Sequence, residues 1–143
     1  MLEAFKIIHK KDPSLGLVII GRNMQGDKIL SKIRDAKAIF LGEQNRKIVL
    51  WFIKHAELIA QPSKIEGIPR VSLEALHLNK KVIFARCVPE FINSDPSFVA
   101  FDLDPLPLSQ LIQHCILRDD YPRYDTNLHS IENVLTQYQE LYL

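Results

Sequence analysis

The 143-residue chain has few cysteines, few glycines and almost no net charge, and each shortage excludes something. Cys87 and Cys115 stand too far apart for a zinc ligand set and are too few for a disulfide framework, so they read as buried or free thiols of a reducing compartment, the cytoplasm by default. The five histidines show no HExxH or HxH spacing, and no metal site is expected. Lysine and arginine number 18 against 17 aspartates and glutamates, and no basic run is interleaved with aromatics, which argues against a nucleic-acid partner. No apolar run is long enough to span a bilayer. The opening MLEAFKIIHKKDP lacks the apolar core and small-residue cleavage site of a signal peptide. The five glycines form neither GxGxxG nor GxxxxGK(S/T), so a dinucleotide fingerprint or Walker-type phosphate loop is not expected either.

What is present is apolar and alternating. At 47% apolar content the chain can bury one good core, and residues 1–143 read as one domain. Helical periodicity starts at once with Leu2, Phe5, Ile8 and His9, an opening that reads as part of a longer protein. LGLVIIG (Leu15 to Gly21) is a β-branched run followed by the helical spacing of GDKILSKIRDA. The same strand-then-helix order recurs in AIFLG with RKIVLWFIKH, in ELIAQ with PRVSLEALHL, in KVIFA with the short PEFIN, and in FVAFD with PLPLSQLIQHCIL. After the polar RDDYPRYDTN a last amphipathic helix carries Ile131, Val134, Leu135, Tyr138 and Leu141. Apolar strands separated by helices predict an α/β fold, a Rossmann-like doubly wound parallel sheet with right-handed crossovers.

Ligands of such sheets bind at the carboxyl ends of the strands, so the strand-to-helix turns are the places to search. The first, Gly21-Arg22-Asn23, reads as turn geometry. The turn after ELIAQ is richer: PSKIEGIPRVSLEAL, Pro62 to Leu76. Pro62 and Ser63 stop the strand, Gly67 loosens the backbone, and Pro69 suits the first turn of a helix because its missing N–H would go unpaired there. A helix opening near Pro69 offers the N–H groups of Arg70, Val71 and Ser72, with the dipole, to an anion such as phosphate. Glu66 lies just outside that mouth and Glu74 roughly 7 Å inside it. Two carboxylates bracketing an anion site are suited to accept hydrogen bonds from neutral hydroxyls on either side of it. A nucleoside diphosphate sugar has that layout, with hexose hydroxyls, diphosphate and ribose hydroxyls in order. The competing explanation is a capping box, Ser63-x-x-Glu66, with Ser63 at the helix start. Gly67 and Pro69 argue against it, since both breakers would then fall in the first two turns.

The block PS-x-x-EG-x-P-x-x-x-LEAL, with seven residues between Glu66 and Glu74 and the strand KVIFA after it, resembles the E-x7-E signature of retaining glycosyltransferases of family four, which have the GT-B architecture. AFKIIHKKDPSLGLVIIG, AIFLG, HAELIAQPS, VPEFI and the terminal YQELY resemble further parts of the same family, so the likeness covers essentially the whole chain. It implies the carboxyl-terminal, donor-binding half of a two-domain enzyme, of the bacterial surface-polysaccharide type. Glu66 would be the catalytic-site glutamate facing the donor hexose, Glu74 would take the ribose, and the amides of Gly67, Ile68, Pro69, Arg70, Val71 and Ser72 would face the sugar and phosphates, proline itself offering only its carbonyl. Gly21, Gly42 and Glu43 would lie at the donor edge, the last two near the uracil. The resemblance implies a UDP-sugar donor, no cofactor and no metal for the transfer.

The full enzyme would then move a hexose or N-acetylhexosamine to a lipid-linked saccharide in lipopolysaccharide O-antigen or capsule synthesis, in the cytoplasm and at the inner face of the membrane. The acceptor domain is not in this chain, so the fragment by itself is expected to bind and not catalyse. Two alternatives stay open at this point, half of a GT-B sugar-nucleotide epimerase and a Rossmann-type interaction domain with no ligand. The family's diphosphate-clamping Arg and Lys belong to a first strand that precedes Met1, and surface roles are expected for Arg22 and Arg70 instead. In the order 3-2-1-4-5-6 that first strand would stand between the strands holding Leu17 to Ile20 and Leu58 to Ala60. The chain is therefore expected to close the gap or to oligomerise through the open sheet edge. Trp51 is expected in the core, Cys87 as a structural thiol, and Tyr121, Tyr124 and Asp125 in a loop facing the other domain.

Overall fold

A computed structural model describes residues 1–23, 26–61, 63, 69–84, 104–118, 130, 132, 133 and 136. Among these residues the elements are, in order, α1 (Leu2–Lys11), β1 (Val18–Ile20), α2 (Asp27–Asp35), β2 (Ile39–Gly42), α3 (Arg46–His55), β3 (Leu58–Gln61), α4 (Arg70–His77), β4 (Lys81–Phe84) and α5 (Pro105–Leu117). The expected strand FVAFD, the PEFIN segment, Cys87 and the loop of Tyr121, Tyr124 and Asp125 lie outside the described residues, as does most of the last expected helix.

Local chemistry sets the element boundaries. Helix α1 buries Ala4, Phe5 and Ile8 on one face and gathers His9, Lys10 and Lys11 in its last turn, where cations offset the dipole. It stops at Asp12, which precedes Pro13 and is therefore pushed to extended backbone, φ −135°. The Asp12 carboxylate accepts from the hydroxyl and the backbone N–H of Ser14, and these bonds hold its pKa below the usual carboxylate value. Helix α3 opens on Asn45, whose side chain accepts from the Ile48 N–H at 3.1 Å.

Among the described residues the strand pairing is parallel, β1 with β2 and β3 with β4. In β4 three consecutive residues, Val82, Ile83 and Phe84, are buried. Successive side chains of a strand point to opposite faces, so β4 is covered on both; α4 and α5 both pack against it. The core joins Ala4 and Ile8 of α1, Ile53 of α3, Ala75 and Leu76 of α4, the three β4 residues, and Leu108, Ile112 and Cys115 of α5. Each large apolar side chain fully buried there contributes about 1.5–3 kcal/mol. At the amino end of β4 the Lys81 ammonium donates to the Ile116 and Arg118 carbonyls, closing the last turn of α5. Cys115 is a free, buried thiol, and burial pushes its pKa up.

One expectation needs correction. Trp51 is not core: it is 56% exposed, stacked on His55 with centroids 4.4 Å apart. The α3 stripe that faces the core runs through Val49, Leu50 and Ile53. Trp51 lies outside that stripe, and an apolar run of six residues, Ile48 to Ile53, must put part of itself outside any one face of a helix. Of the two outcomes expected for the gap, closure or association with another chain, closure is not seen among the described residues. Among the described residues β1–β2 and β3–β4 are separate two-stranded sheets, and neither β1 nor β3 has a further ladder partner. Each pair is held by its own crossover helix, α2 or α4, and the core is assembled from α1, α3, α4, α5 and β4 without any pairing of β1 with β3. Consistent with an open edge, every β3 residue is half-buried and Val18 of β1 is 37% exposed.

Candidate donor-binding site

The carboxyl ends of β1 and β2 meet at two glycines. The Gly21 N–H donates to the Gly42 carbonyl at 2.9 Å, one residue past a register shift at Ile20. Gly42 sits at φ +68°, in the left-handed region where a side chain is strained. Gln44 donates to the Leu41 carbonyl at 2.6 Å and tightens the turn into α3. Across the two turns Arg22 donates through Nε at 3.1 Å and pairs through Nη2 at 3.0 Å, both to Glu43 Oε1. Both side chains are mostly exposed, so the pair contributes at most about 1 kcal/mol and serves to link the turns. The surface role expected of Arg22 is therefore what the structure shows, and Arg70 is likewise exposed.

The third turn leads into α4. The helix begins at Arg70 with Pro69 as its N-cap residue, φ −73° and ψ 116°. Ser63 accepts from the Gln61 side chain at 3.1 Å, seven positions before α4 starts, while Glu66, its partner in the capping-box explanation, lies outside the described residues. The Ser72 N–H is not free, as the sequence suggested, because it donates to the Pro69 carbonyl at 3.0 Å. The N–H groups of Arg70 and Val71 carry no partner among the described residues. The Ser72 hydroxyl is completely buried and also has no hydrogen-bond partner. A buried hydroxyl left unpaired costs about 1–3 kcal/mol.

Glu74 lies one turn further in with its side chain 24% exposed. Its Oε1 is 2.9 Å from Nη2 of Arg46, the first residue of α3. Sequence reasoning missed Arg46, since only the packing of α3 on α4 brings it to Glu74. Glu66, Gly67 and Ile68 lie outside the described residues. Gly21, Gly42, Glu43 and the α4 residues from Pro69 to Glu74 fall at the carboxyl ends of the strands or at the mouth of α4. Arg46 links the second of these turns to the third.

Residues 1–92 match the family model described as glycosyl transferases group 1. The chain belongs to that family. This match takes in α1 through β4, and with them every site residue considered above. No curated protein matches the chain. Among solved structures, the crystal structure of Anabaena HepE in complex with UDP is similar over 99% of this chain and 44% of HepE, with a TM-score of 0.72 and 16% identity. That likeness bears on the fold, and gives this group 1 chain the α/β architecture with parallel strands of a GT-B glycosyltransferase. The chain thus spans less than half the length of the structure it resembles.

Among the described residues no helix is long and apolar enough to cross a membrane, and no three His, Cys, Asp or Glu side chains group as a metal site.

Proposed function

We propose that this chain is the nucleotide-sugar-binding half of a retaining family-four glycosyltransferase, with a UDP-sugar as donor. The observation that carries the reading is the mouth of α4, where two unpartnered N–H groups and an unsatisfied buried Ser72 hydroxyl stand within two turns of a Glu74 carboxylate. The helix terminus suits the diphosphate and Glu74 suits the ribose hydroxyls. Glu66 would serve the hexose as the catalytic-site glutamate, and the segment Gly67 to Pro69 would line the sugar and phosphates. Gly21, Gly42 and Glu43 would border the uracil end. HepE, similar in fold, was crystallised with UDP, which favours that nucleotide as the first to test.

In the transfer the protein would bind the departing diphosphate and hold the anomeric carbon in attack geometry, with no metal or cofactor in the step. The acceptor would be a lipid-linked saccharide of O-antigen or capsule synthesis, met at the inner face of the membrane and gripped by a second domain. The open edges of β1 and β3 would take the strand that completes the sheet, from the rest of the enzyme or from a second copy.

The test is a calorimetric or NMR titration of the chain with UDP, with GDP and ADP as controls, repeated on Glu74→Ala. Saturable, UDP-selective binding that weakens in the variant is the expected result. Equal binding of all three nucleotides, or UDP binding indifferent to Glu74, would remove the reading.

A further inference from the structure

Helix α3 begins against its own electrostatics. Its first turn holds Arg46 and Lys47 and no acidic residue, although the positive end of a helix dipole favours carboxylates and disfavours cations. Arg46 is therefore not explained by the helix that carries it. Its side chain is 76% exposed, and among the described residues its polar partner is Glu74, at 2.9 Å.

Glu74, by contrast, has a problem that Arg46 solves. It is the fifth residue of α4, and the anion-accepting first turn lies roughly 7 Å away along the axis. At that distance and an effective dielectric near 20, an unneutralised carboxylate would repel one phosphate charge enough to weaken binding by roughly 50-fold. A carboxylate that must stand beside a diphosphate and still accept a ribose hydroxyl needs a cation on its far oxygen.

We propose that Arg46 is a positioning residue of the donor site, which neutralises and orients Glu74 through Oε1 so that the carboxylate can receive ribose next to a nucleoside diphosphate. This rests on the reading of Glu74 as the ribose acceptor. The backbone of Arg46 is fixed by the Asn45 cap, while its exposed guanidinium leaves its remaining donors to water. Arg46 acts through Glu74 and makes no contact with the donor itself.

The experiment is a double-mutant cycle read by calorimetry with two probes, UDP and uridine, on the parent chain, Arg46→Gln, Glu74→Gln and the double variant, with Arg46→Lys as the conservative control. Arg46→Gln should weaken UDP about tenfold or more and uridine no more than about threefold, because uridine has no phosphate for Glu74 to repel. In the Glu74→Gln background the same change should alter UDP affinity less than about twofold, since no carboxylate is left to neutralise. Arg46→Lys should restore most of the UDP affinity.

An Arg46→Gln effect of equal size in both backgrounds would mean that Arg46 binds phosphate directly, and would overturn the proposal. So would altered melting temperatures with an unchanged ratio of UDP to uridine affinity, the outcome of a purely structural pair. If the parent chain ignores UDP, or Glu74→Gln leaves UDP affinity unchanged, the ribose reading itself has failed and the proposal goes with it.

Discussion

Replacing Ser72 by alanine should make the protein more stable and a worse nucleotide binder. The Ser72 side chain is fully buried and its hydroxyl lacks a partner. Removing a buried unsatisfied hydroxyl recovers about 1–3 kcal/mol. Alanine adds a few tenths of a kcal/mol as the better helix former, about 0.5 at most. Against this stands the lost packing of one oxygen atom, about 0.1–0.2 kcal/mol per atom contact. The net expectation is a gain of about 1–2 kcal/mol, or about 2–8 °C in Tm for a chain of this size. Urea and thermal denaturation followed by circular dichroism measure it. If the hydroxyl is reserved for a phosphate oxygen, the same variant loses a hydrogen bond to a charged acceptor, and UDP should bind roughly 10- to 100-fold more weakly. Stability and binding then move in opposite directions. A loss of stability of about 1 kcal/mol or more would mean the hydroxyl is satisfied in solution. A gain in stability with unchanged UDP affinity would refute its place in the site.

Phe84 is 1% exposed in the centre of the core, so Phe84→Ala should cost about 3–5 kcal/mol in urea denaturation; a cost below about 1 kcal/mol would contradict the two-sided burial of β4. Cys115 gives a pH dependence. Its folded pKa is raised above the ordinary 9.0 by desolvation, so the folded chain keeps a proton that the unfolded chain gives up. The stabilisation is complete below pH 9 and is lost as pH rises from there through the folded value. Cys115→Ala should flatten that alkaline decline, and an unchanged slope would contradict the burial of the thiol. Trp51 is the single tryptophan and is 56% exposed; its fluorescence should be red-shifted and readily quenched by acrylamide, whereas blue-shifted, protected emission would return it to the core.

The alternation of apolar strands with helical spacings was legible because both periodicities are local. AIFLG, RKIVLWFIKH and ELIAQ predict β2, α3 and β3 to within a residue. The start of α4 was legible for the same reason, since Pro69 constrains its own backbone wherever the chain goes. Trp51 was misplaced because local pattern shows that α3 is apolar but not which of its residues finds a neighbour. The state of the gap between β1 and β3 was equally out of reach, because strand pairing is a long-range choice fixed by crossover geometry.

For the site, the residue types and spacing from Pro62 to Leu76 by themselves point to an anion between two carboxylates. Arg46 did not stand out, because nothing in RKIVLW marks its first residue as a partner of a glutamate on the next helix. The sequence by itself determined the α/β class, the bounds of β2, α3 and β3, and the start of the helix that holds Glu74, since each rests on interactions within a few residues. Only the tertiary structure decided that Arg46 meets Glu74, that Ser72 is buried with its hydroxyl unpaired, and that Gly21 bonds to Gly42 across two turns. Those contacts join segments distant along the chain, and the packing of helices and strands, not local preference, brings them within hydrogen-bond reach.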